Sequence, residues 1–524
     1  MIRLNLRLRA TFLIIWMLAL WTFLAVFPPA YESYYPTPRD RASFLAGMQQ
    51  NSGMTAMWGP LESPASLGQI VMWEAGSMMI ILGSVMAVLL MVGLHRKEES
   101  HGQMELRLST GIGRTTPAAA ALLTTSLASF VVGMGSTFVL LLSGLYVDEL
   151  PAEGAVTSGA VIALTMIGSA LFAQLCLLCV RNPSSITRVG LLTVAVSFIT
   201  RAVADSQNAG WLNWLSPLGW KTVVRPYVSD DWGALSVLVG ISIAGAAAVL
   251  MAERYREYGQ PLVRVPELGR AGGRHIRGPL HLYVVLNRGT VITWILVITG
   301  LAAFFIALTG SLSAWMEAEA NVGQVFKEMF GTGNMKTEFI AYTAKICGIL
   351  VATMGIQTIV TYRSGELDRT VDLQRSTGIR RWVPLGMAGL VASVATLSGT
   401  GAILVGGWIG LWSQESTTAT DHETLIFAAG SQLAPTLMLT AMALALVGCL
   451  PHATHFAWAP VVAAAMLTLF GPVLDAPRWL IDISPFEYVV TAEDGSWGVH
   501  VWMSLAAFTL MGLGLWGARQ REIQ

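Results

Sequence analysis

Charge is what this sequence has least of. Only 12% of its 524 residues are Asp, Glu, Lys or Arg, about half the share usual in a soluble domain. Its 32 basic residues balance 32 acidic ones, so no excess basic field gathers phosphates and a general nucleic-acid role is excluded. Cysteine is scarce as well. The four present define no disulfide framework. Cys176 and Cys179 form a CxxC inside the apolar run Leu164 to Val180, with no partner ligands nearby, and read as small buried side chains rather than a redox or zinc site. Cys347 and Cys449 also lie within apolar runs. A P-loop is missing: Gly331 to Thr337, GTGNMKT, has a Lys-Thr but the wrong glycine spacing for amides that cradle phosphates. His452 and His455 form an HxxH with no carboxylate or Cys beside it, which argues against a metal site. No nucleophile, base and oxyanion set can be picked out, so the chain by itself is expected not to be an enzyme and to bind no cofactor.

What is there in abundance is apolar sequence. Hydrophobic residues make up 54% and the mean hydropathy is +0.59, which marks an all-α polytopic membrane protein. Runs long enough to cross a bilayer, roughly 17 to 25 residues each, fall near Thr11 to Phe27, Ile70 to Leu94, Ala118 to Tyr146, Val156 to Val180, Val189 to Asp205 and Ala234 to Met251. A second set falls near Leu286 to Thr309, Ala341 to Tyr362, Leu385 to Trp412, Leu425 to Leu450, Ala457 to Leu474 and Val501 to Gly517. The expectation is about 12 transmembrane helices in two halves, residues 1–251 and 286–524, joined by a basic cytoplasmic linker at residues 252–285. That linker carries Arg254, Arg256, Arg264, Arg270, Arg274 and Arg277. It either lies on the anionic inner leaflet or is simply solvated.

One charged segment occurs twice. RKEESHGQMELRLSTGIGR, Arg96 to Arg114, answers RSGELDRTVDLQRSTGIRR, Arg363 to Arg381, and Pro117 and Pro384 open the next apolar run in both. LRATFLIIW at Leu8 to Trp16 likewise answers LNRGTVITW at Leu286 to Trp294, and WLNWLSP at Trp211 to Pro217 answers WLIDISP at Trp479 to Pro485. Six spans return each half to the same side, so the repeats are parallel, and a substrate path is expected between them. Most Lys and Arg fall in loops on the side of the N-terminus, which places both termini and both charged segments in the cytoplasm. Pro28-Pro29 is expected to end the first helix, and no small-residue cleavage site follows it.

The charged segment reads as a short helix: Glu98 and Glu99 lead, Arg107 closes and Gly111 stops it. Topology alone does not account for Glu99, Glu105, Glu366 and Asp372, because acidic residues contribute little to it. Contacts with a soluble partner do. The residues expected to carry them are Glu99, Glu105, Arg107, Thr110, Gly111 and Arg114, with Glu366, Arg369, Asp372, Arg375, Gly378 and Arg381 in the second copy.

On the outer side, Pro28 to Gln69 and Ser311 to Phe339 are too apolar for ordinary loops and fit interfacial amphipathic helices. Ser216, Pro217 and Trp220, answered by Ser484, Pro485 and Tyr488, read as a helix break followed by a short re-entrant helix that gates the outer mouth. Ionisable residues inside spans face a partner or a cavity. Glu74, beside Trp73, and Lys345 stand at similar depth and could pair across the halves, whereas Arg201 and Asp205 are spaced for a same-face ion pair. Structural pairing and substrate contact both remain open for these four. Gln174, Gln357 and Gln432 offer hydrogen bonds between spans.

These residues resemble a known family. The paired E-x5-[ED]-L-x2-STGI-x-R segments at Glu99 to Arg114 and Glu366 to Arg381, the NSGMTAMWGP run at Asn51 to Pro60, Arg201-Ala-Val-Ala-Asp205 and the WLxx[LI]SP entries are similar to those of ATP-binding-cassette exporter permeases of the type-2 (type V) fold, in the fused two-half polyketide-antibiotic or tetronasin-like group. The resemblance implies multidrug or antibiotic efflux of hydrophobic molecules across a bacterial plasma membrane. It also implies two copies of a separate cytoplasmic ATPase that hold ATP and Mg, one on each coupling helix. Two other readings stay open. A proton-coupled secondary transporter would share the six-plus-six plan, but GELDR at Gly365 to Arg369 places Asp368 one position early for the loop signature of the major-facilitator class. A non-transporting scaffold or sensor is the other.

Overall fold

The computed structural model describes residues 1–49, 52–100, 105, 108–180, 185–257, 260–262, 276–318, 335–414, 417–470, 477–491 and 496–521. Among them there is no strand, and the contacts gather into two compact units, Met1–Ala271 and Gly272–Gln524. The first unit runs α1 (Ile2–Leu8), α2 (Ala10–Tyr34), α3 (Pro38–Gln49), α4 (Ser52–Trp58), α5 (Leu67–Leu94), α6 (Arg96–Ser100), α7 (Thr116–Ser143), α8 (Ala152–Leu177), α9 (Ile186–Ser206), α10 (Trp211–Leu215), α11 (Trp220–Val224) and α12 (Trp232–Tyr255). The second runs α13 (Pro279–Ala318), α14 (Met335–Leu367), α15 (Thr370–Arg375), α16 (Val383–Trp412), α17 (Ala419–Ser431), α18 (Leu433–Cys449), α19 (Ala459–Phe470), α20 (Arg478–Ile481) and α21 (Gly498–Gln520).

Among the described residues, 11 helices are long and apolar enough to cross a membrane, with α17 and α18 counted as one. The chain is an all-α polytopic membrane protein. The expected span Ala457 to Leu474 is the exception: a 3-10 stretch, Pro451–Trp458, leads into α19 of only 12 residues, and residues 471–476 lie outside those described.

Local chemistry sets the starts of these helices. Ser66 and Gln69 form a capping box on α5, Thr418 and Asp421 form one on α17, and the Asp231 carboxylate accepts from the Ala234 amide at the start of α12. Pro117 and Pro384 occupy the first turns of α7 and α16, where a missing N–H costs nothing. Burial then sorts the helices. In the first unit α5 and α8 are the interior pair, with 72% and 67% of their most apolar windows buried, against 17% for α2 and 22% for α12. The second unit repeats the profile, with 67% for α14 and 61% for α17–α18 against 17% for α13 and 22% for α21. Close approach depends on glycine at two crossings. A Cβ on Gly159 of α8 would stand 2.4 Å from the Gly133 carbonyl of α7, and one on Gly448 of α18 would stand 2.1 Å from the Gly514 carbonyl of α21.

Several expectations are corrected here. Pro28 and Pro29 do not end the first helix: α2 carries both to Tyr34, because aromatic contacts from Phe27 to Tyr31 and from Tyr31 to Tyr35 hold the turn beyond them. The linker is shorter than expected at both ends, since α12 runs to Tyr255 and α13 begins at Pro279. α3 and α4 put apolar side chains into the protein rather than leaving them for lipid: Phe44, Met48 and Trp58 are buried, and Phe44 meets the Trp73 ring edge-on at 5.8 Å. The counterpart stretch at residues 319–334 lies outside the described residues. Cys179 is exposed rather than buried, just past the end of α8, and Cys176 is half-buried; Cys449, the last residue of α18, is exposed, and all three are free thiols.

Candidate functional site

The repeated charged segment and the end of each unit's last helix come together in a clamp. In the first unit, Glu99 lies one turn past the end of α5 and its side chain is only 6% exposed. Arg256, just beyond α12, grips it with both guanidinium nitrogens, each 2.9 Å from a carboxylate oxygen, the paired geometry that makes such contacts strong. Arg96 donates to the same carboxylate and to the Val180 carbonyl at 2.7 Å. A second carboxylate, Glu253, takes the Arg256 Nε at 3.2 Å and the Gln174 amide at 3.2 Å. Two buried arginines therefore meet two buried carboxylates. Burial opposes the charge of Arg256, but hydrogen bonding to Glu99 and the field of Glu253 outweigh it and hold its pKa above the ordinary arginine value. His95, 3.0 Å from the Gln174 amide through Nδ1, is pushed the other way by burial. Arg114 closes the far end of the segment by donating to the Arg256 carbonyl.

The second unit builds the same clamp from the equivalent residues. Arg521, just beyond α21, donates to Glu366 at 2.7 Å and to the Val447 carbonyl at 2.7 Å. Arg363 donates to Glu366 at 2.9 Å, and Arg381 reaches the Arg521 carbonyl at 3.3 Å. Arg375 and the Tyr362 hydroxyl add to the same carboxylate at 3.0 and 2.8 Å. Glu366 sits in the last turn of α14, not in the short helix, which begins at Thr370. Arg107 lies outside the described residues.

What the clamp holds is an exposed tip. Gly111 (φ 82°) and Gly378 (φ 84°) both adopt the left-handed region that ends a helix, with amides bonded to Leu108 and Arg375 carbonyls at 3.1 Å each. Ser109 and Ser376 bond back to Glu105 and Asp372 at 2.9 Å each. Glu105, Thr110, Gly111 and Arg114 are exposed, as are Arg369, Gly378 and Arg381, and Asp372 is 42% exposed. The eleven coupling candidates among the described residues thus divide. Glu99, Glu366 and Arg375 turn inward, Arg114 and Arg381 strap the segment down while staying exposed, and the tip residues face outward.

Arg256 and Arg521 were not singled out from the sequence, yet the signal exists: Arg254-Tyr255-Arg256-Glu257 and Arg519-Gln520-Arg521-Glu522 repeat R-x-R-E after the last apolar run of each half.

At the opposite end of the first unit the intramembrane charges have partners within the unit. Arg201 is fully buried, its guanidinium donating to the Ala56 carbonyl at 3.0 Å and to Met57, with Asp205 at 3.8 Å. Asp205 in turn takes the Asn213 amide at 2.8 Å, so the pair fastens α4 and α10 to α9. Within its own unit Glu74 is bonded to Tyr31, and Lys345 to Glu487 at 2.6 Å. Trp73 donates to the Gly59 carbonyl at 2.7 Å, and Gln357 accepts from Trp294 at 2.6 Å. The Gln432 side-chain amide donates to the adjacent Ser431 hydroxyl at 3.4 Å. Lys221, which sequence reasoning missed, is buried with its ammonium on the Trp58, Met72 and Trp73 carbonyls and the Ser77 hydroxyl.

The re-entrant serines repeat a contact. Ser216 donates to the Ser197 carbonyl of α9 at 2.7 Å, and Ser484 to the Ala464 carbonyl of α19 at 3.1 Å. After Pro217 the chain forms a 3-10 turn and then α11, where Trp220 packs under Gly168. After Pro485 no helix forms through residue 491, which corrects the expected second re-entrant helix; Tyr488 instead ties its hydroxyl to the Asp482 carbonyl at 2.9 Å. Between α13 and α16 lies an apolar cavity of about 330 Å³, lined by Val284, Val291, Ile292, Leu390 and Val394 with Arg288 at its edge. No group of His, Cys, Asp and Glu among the described residues could hold a metal ion.

The sequence profile described as "Multidrug efflux system permease Rv1217c, C-terminal domain" matches residues 1–256 and 276–519. The chain belongs to this permease family. It is also similar to the "Multidrug efflux system permease protein Rv1217c" of Mycobacterium tuberculosis, at 27% identity over all of this chain and 95% of that protein. The matched segments include the first clamp, Glu99 with Arg256, and Glu366 of the second, and stop two residues short of Arg521.

Proposed function

We propose that this chain is the membrane-spanning subunit of an ATP-driven efflux system, moving hydrophobic or amphipathic small molecules out of a bacterial cell. ATP, with Mg, is hydrolysed in a separate cytoplasmic ATPase, one copy docking on each coupling segment. The observation that carries this reading is the clamp built twice. Each fastens a short exposed tip, rich in polar side chains, to the ends of two spanning helices, so force applied to the tip reaches those helices directly. The absence of a P-loop in the sequence gives the tips a reason to meet a partner. Family membership supports efflux, and the apolar cavity beside α13 suits a small hydrophobic molecule. Both termini are assigned to the cytoplasm with the tips. Arg9 donates to the Gly93 carbonyl at 2.9 Å, next to the first clamp, and Arg521 is part of the second.

The test is drug-stimulated ATP hydrolysis by the reconstituted permease and its ATPase. Replacing the exposed tip residues Glu105, Thr110, Asp372 and Thr377 together with Ala is expected to abolish stimulation while leaving the permease folded. Full stimulation in that variant removes the tips from the coupling route.

A further inference from the structure

The two clamps differ in charge. In the first unit the arginine pair meets two buried carboxylates, Glu99 and Glu253. In the second, the position answering Glu253 in the R-x-R-E alignment is Ala518, and the position answering Leu108 is Arg375. Three guanidinium groups consequently converge on the single carboxylate of Glu366. The Nε of Arg375 is buried without a hydrogen-bond partner. The imbalance opens on a cleft of about 640 Å³, whose lining includes Arg363, Arg369, Arg375 and Arg521 against only Glu366 and Asp372.

The setting identifies the complement. The cleft lies where two helices long enough to span a bilayer end, α14 at Leu367 and α17–α18 at Cys449, and the ends of spanning helices meet the headgroup region. Leu367 and Leu450 line it and are 68% and 61% exposed. Apolar side chains beside surplus guanidinium groups match a ligand with an anionic head and a greasy body, and arginine forks match phosphate geometry. A soluble anion leaves those leucines unused. We propose that the second unit binds the phosphate of an anionic phospholipid in this cleft, a role that Glu253 fills internally for the buried arginines of the first unit.

The experiment measures lipid retention on the purified full chain by native mass spectrometry, with phosphatidylglycerol, phosphatidylcholine and inorganic phosphate as probes. Wild type is expected to retain phosphatidylglycerol in preference to phosphatidylcholine. Arg375→Leu, which copies the first unit, is expected to lower that retention about fivefold. Ala518→Glu, which supplies the missing carboxylate without removing an arginine, is expected to do the same, and Leu108→Arg in the first unit is expected to leave it unchanged. Equal retention by wild type, R375L and A518E overturns the proposal. Phosphate bound without any preference among lipids assigns the cleft to a free anion and overturns the lipid assignment. Loss of a co-purifying ATPase from R375L with lipid retention unchanged assigns the cleft to a protein contact and likewise overturns it.

Discussion

Arg521 reaches back to Glu366 across 155 positions of sequence, Nη2 to Oε1 at 2.7 Å, and so ties the end of α21 to the start of the second charged segment. Arg256 does the same for Glu99 in the first unit. Removing one member of a buried ion pair strands the other, at a cost of about 3–5 kcal/mol. Arg256→Gln is therefore expected to lower thermal stability markedly. Arg521→Gln is expected to lower it less, because the Arg521 side chain is 22% exposed and that of Arg256 only 4%. Melting curves of the two variants in detergent, with the double variant R256Q/E99Q less than additive, provide the check.

The tips depend on two left-handed glycines. A Cβ on Gly111 or Gly378 meets nothing within 4 Å, so substitution there strains only the backbone, by roughly 1 kcal/mol. Gly378→Val is expected to leave the melting point nearly unchanged yet reduce drug-stimulated hydrolysis. Gly378→Asn, which tolerates the same backbone better than other side chains, is expected to retain more of it. Indistinguishable Val and Asn variants contradict a role for tip geometry.

The re-entrant serines are expected to matter for stability rather than coupling. Ser216→Ala removes one buried hydrogen bond and leaves the Ser197 carbonyl short of a donor, a loss of about 1–2 kcal/mol. Retention of the ATPase on an affinity column is expected to be unaffected. A loss of the partner with normal stability points instead to communication between the two ends of the unit.

His95 gives the first clamp a pH dependence. Burial lowers its pKa below the ordinary value of 6.5, against the opposing fields of Glu253 and Glu99. The unfolded chain then takes up the proton first as pH falls. The stability due to neutral His95 is complete above the ordinary value and is lost as pH drops through the lowered one. Thermal stability is expected to fall on acidification below about pH 6.5, and H95Q is expected to flatten that part of the profile.

Much of this was legible in the sequence because it is local or repeated. The Ser-Pro breaks, the paired Gly stops and the buried character of Arg201 and Asp205 follow from short-range rules and from comparing the halves. The clamp was not, because Glu99 and Arg256 stand 157 positions apart and a charge that reads as facing a soluble partner can equally be satisfied inside its own chain. Lys221 was missed for a related reason: its ammonium is met by backbone carbonyls and one hydroxyl, which leave no mark in residue type. Pro28 and Pro29 misled because their aromatic neighbours outweigh the local break.

The most direct measurement is the mass of the intact complex of this chain with its ATPase. Two ATPase copies per chain are expected, falling to one when the tip of either segment is replaced, through Glu105 and Thr110 or through Asp372 and Thr377, and to none when both are. No bound ATPase, or two copies retained after both tips are changed, contradicts the assignment of the duplicated segments as docking points.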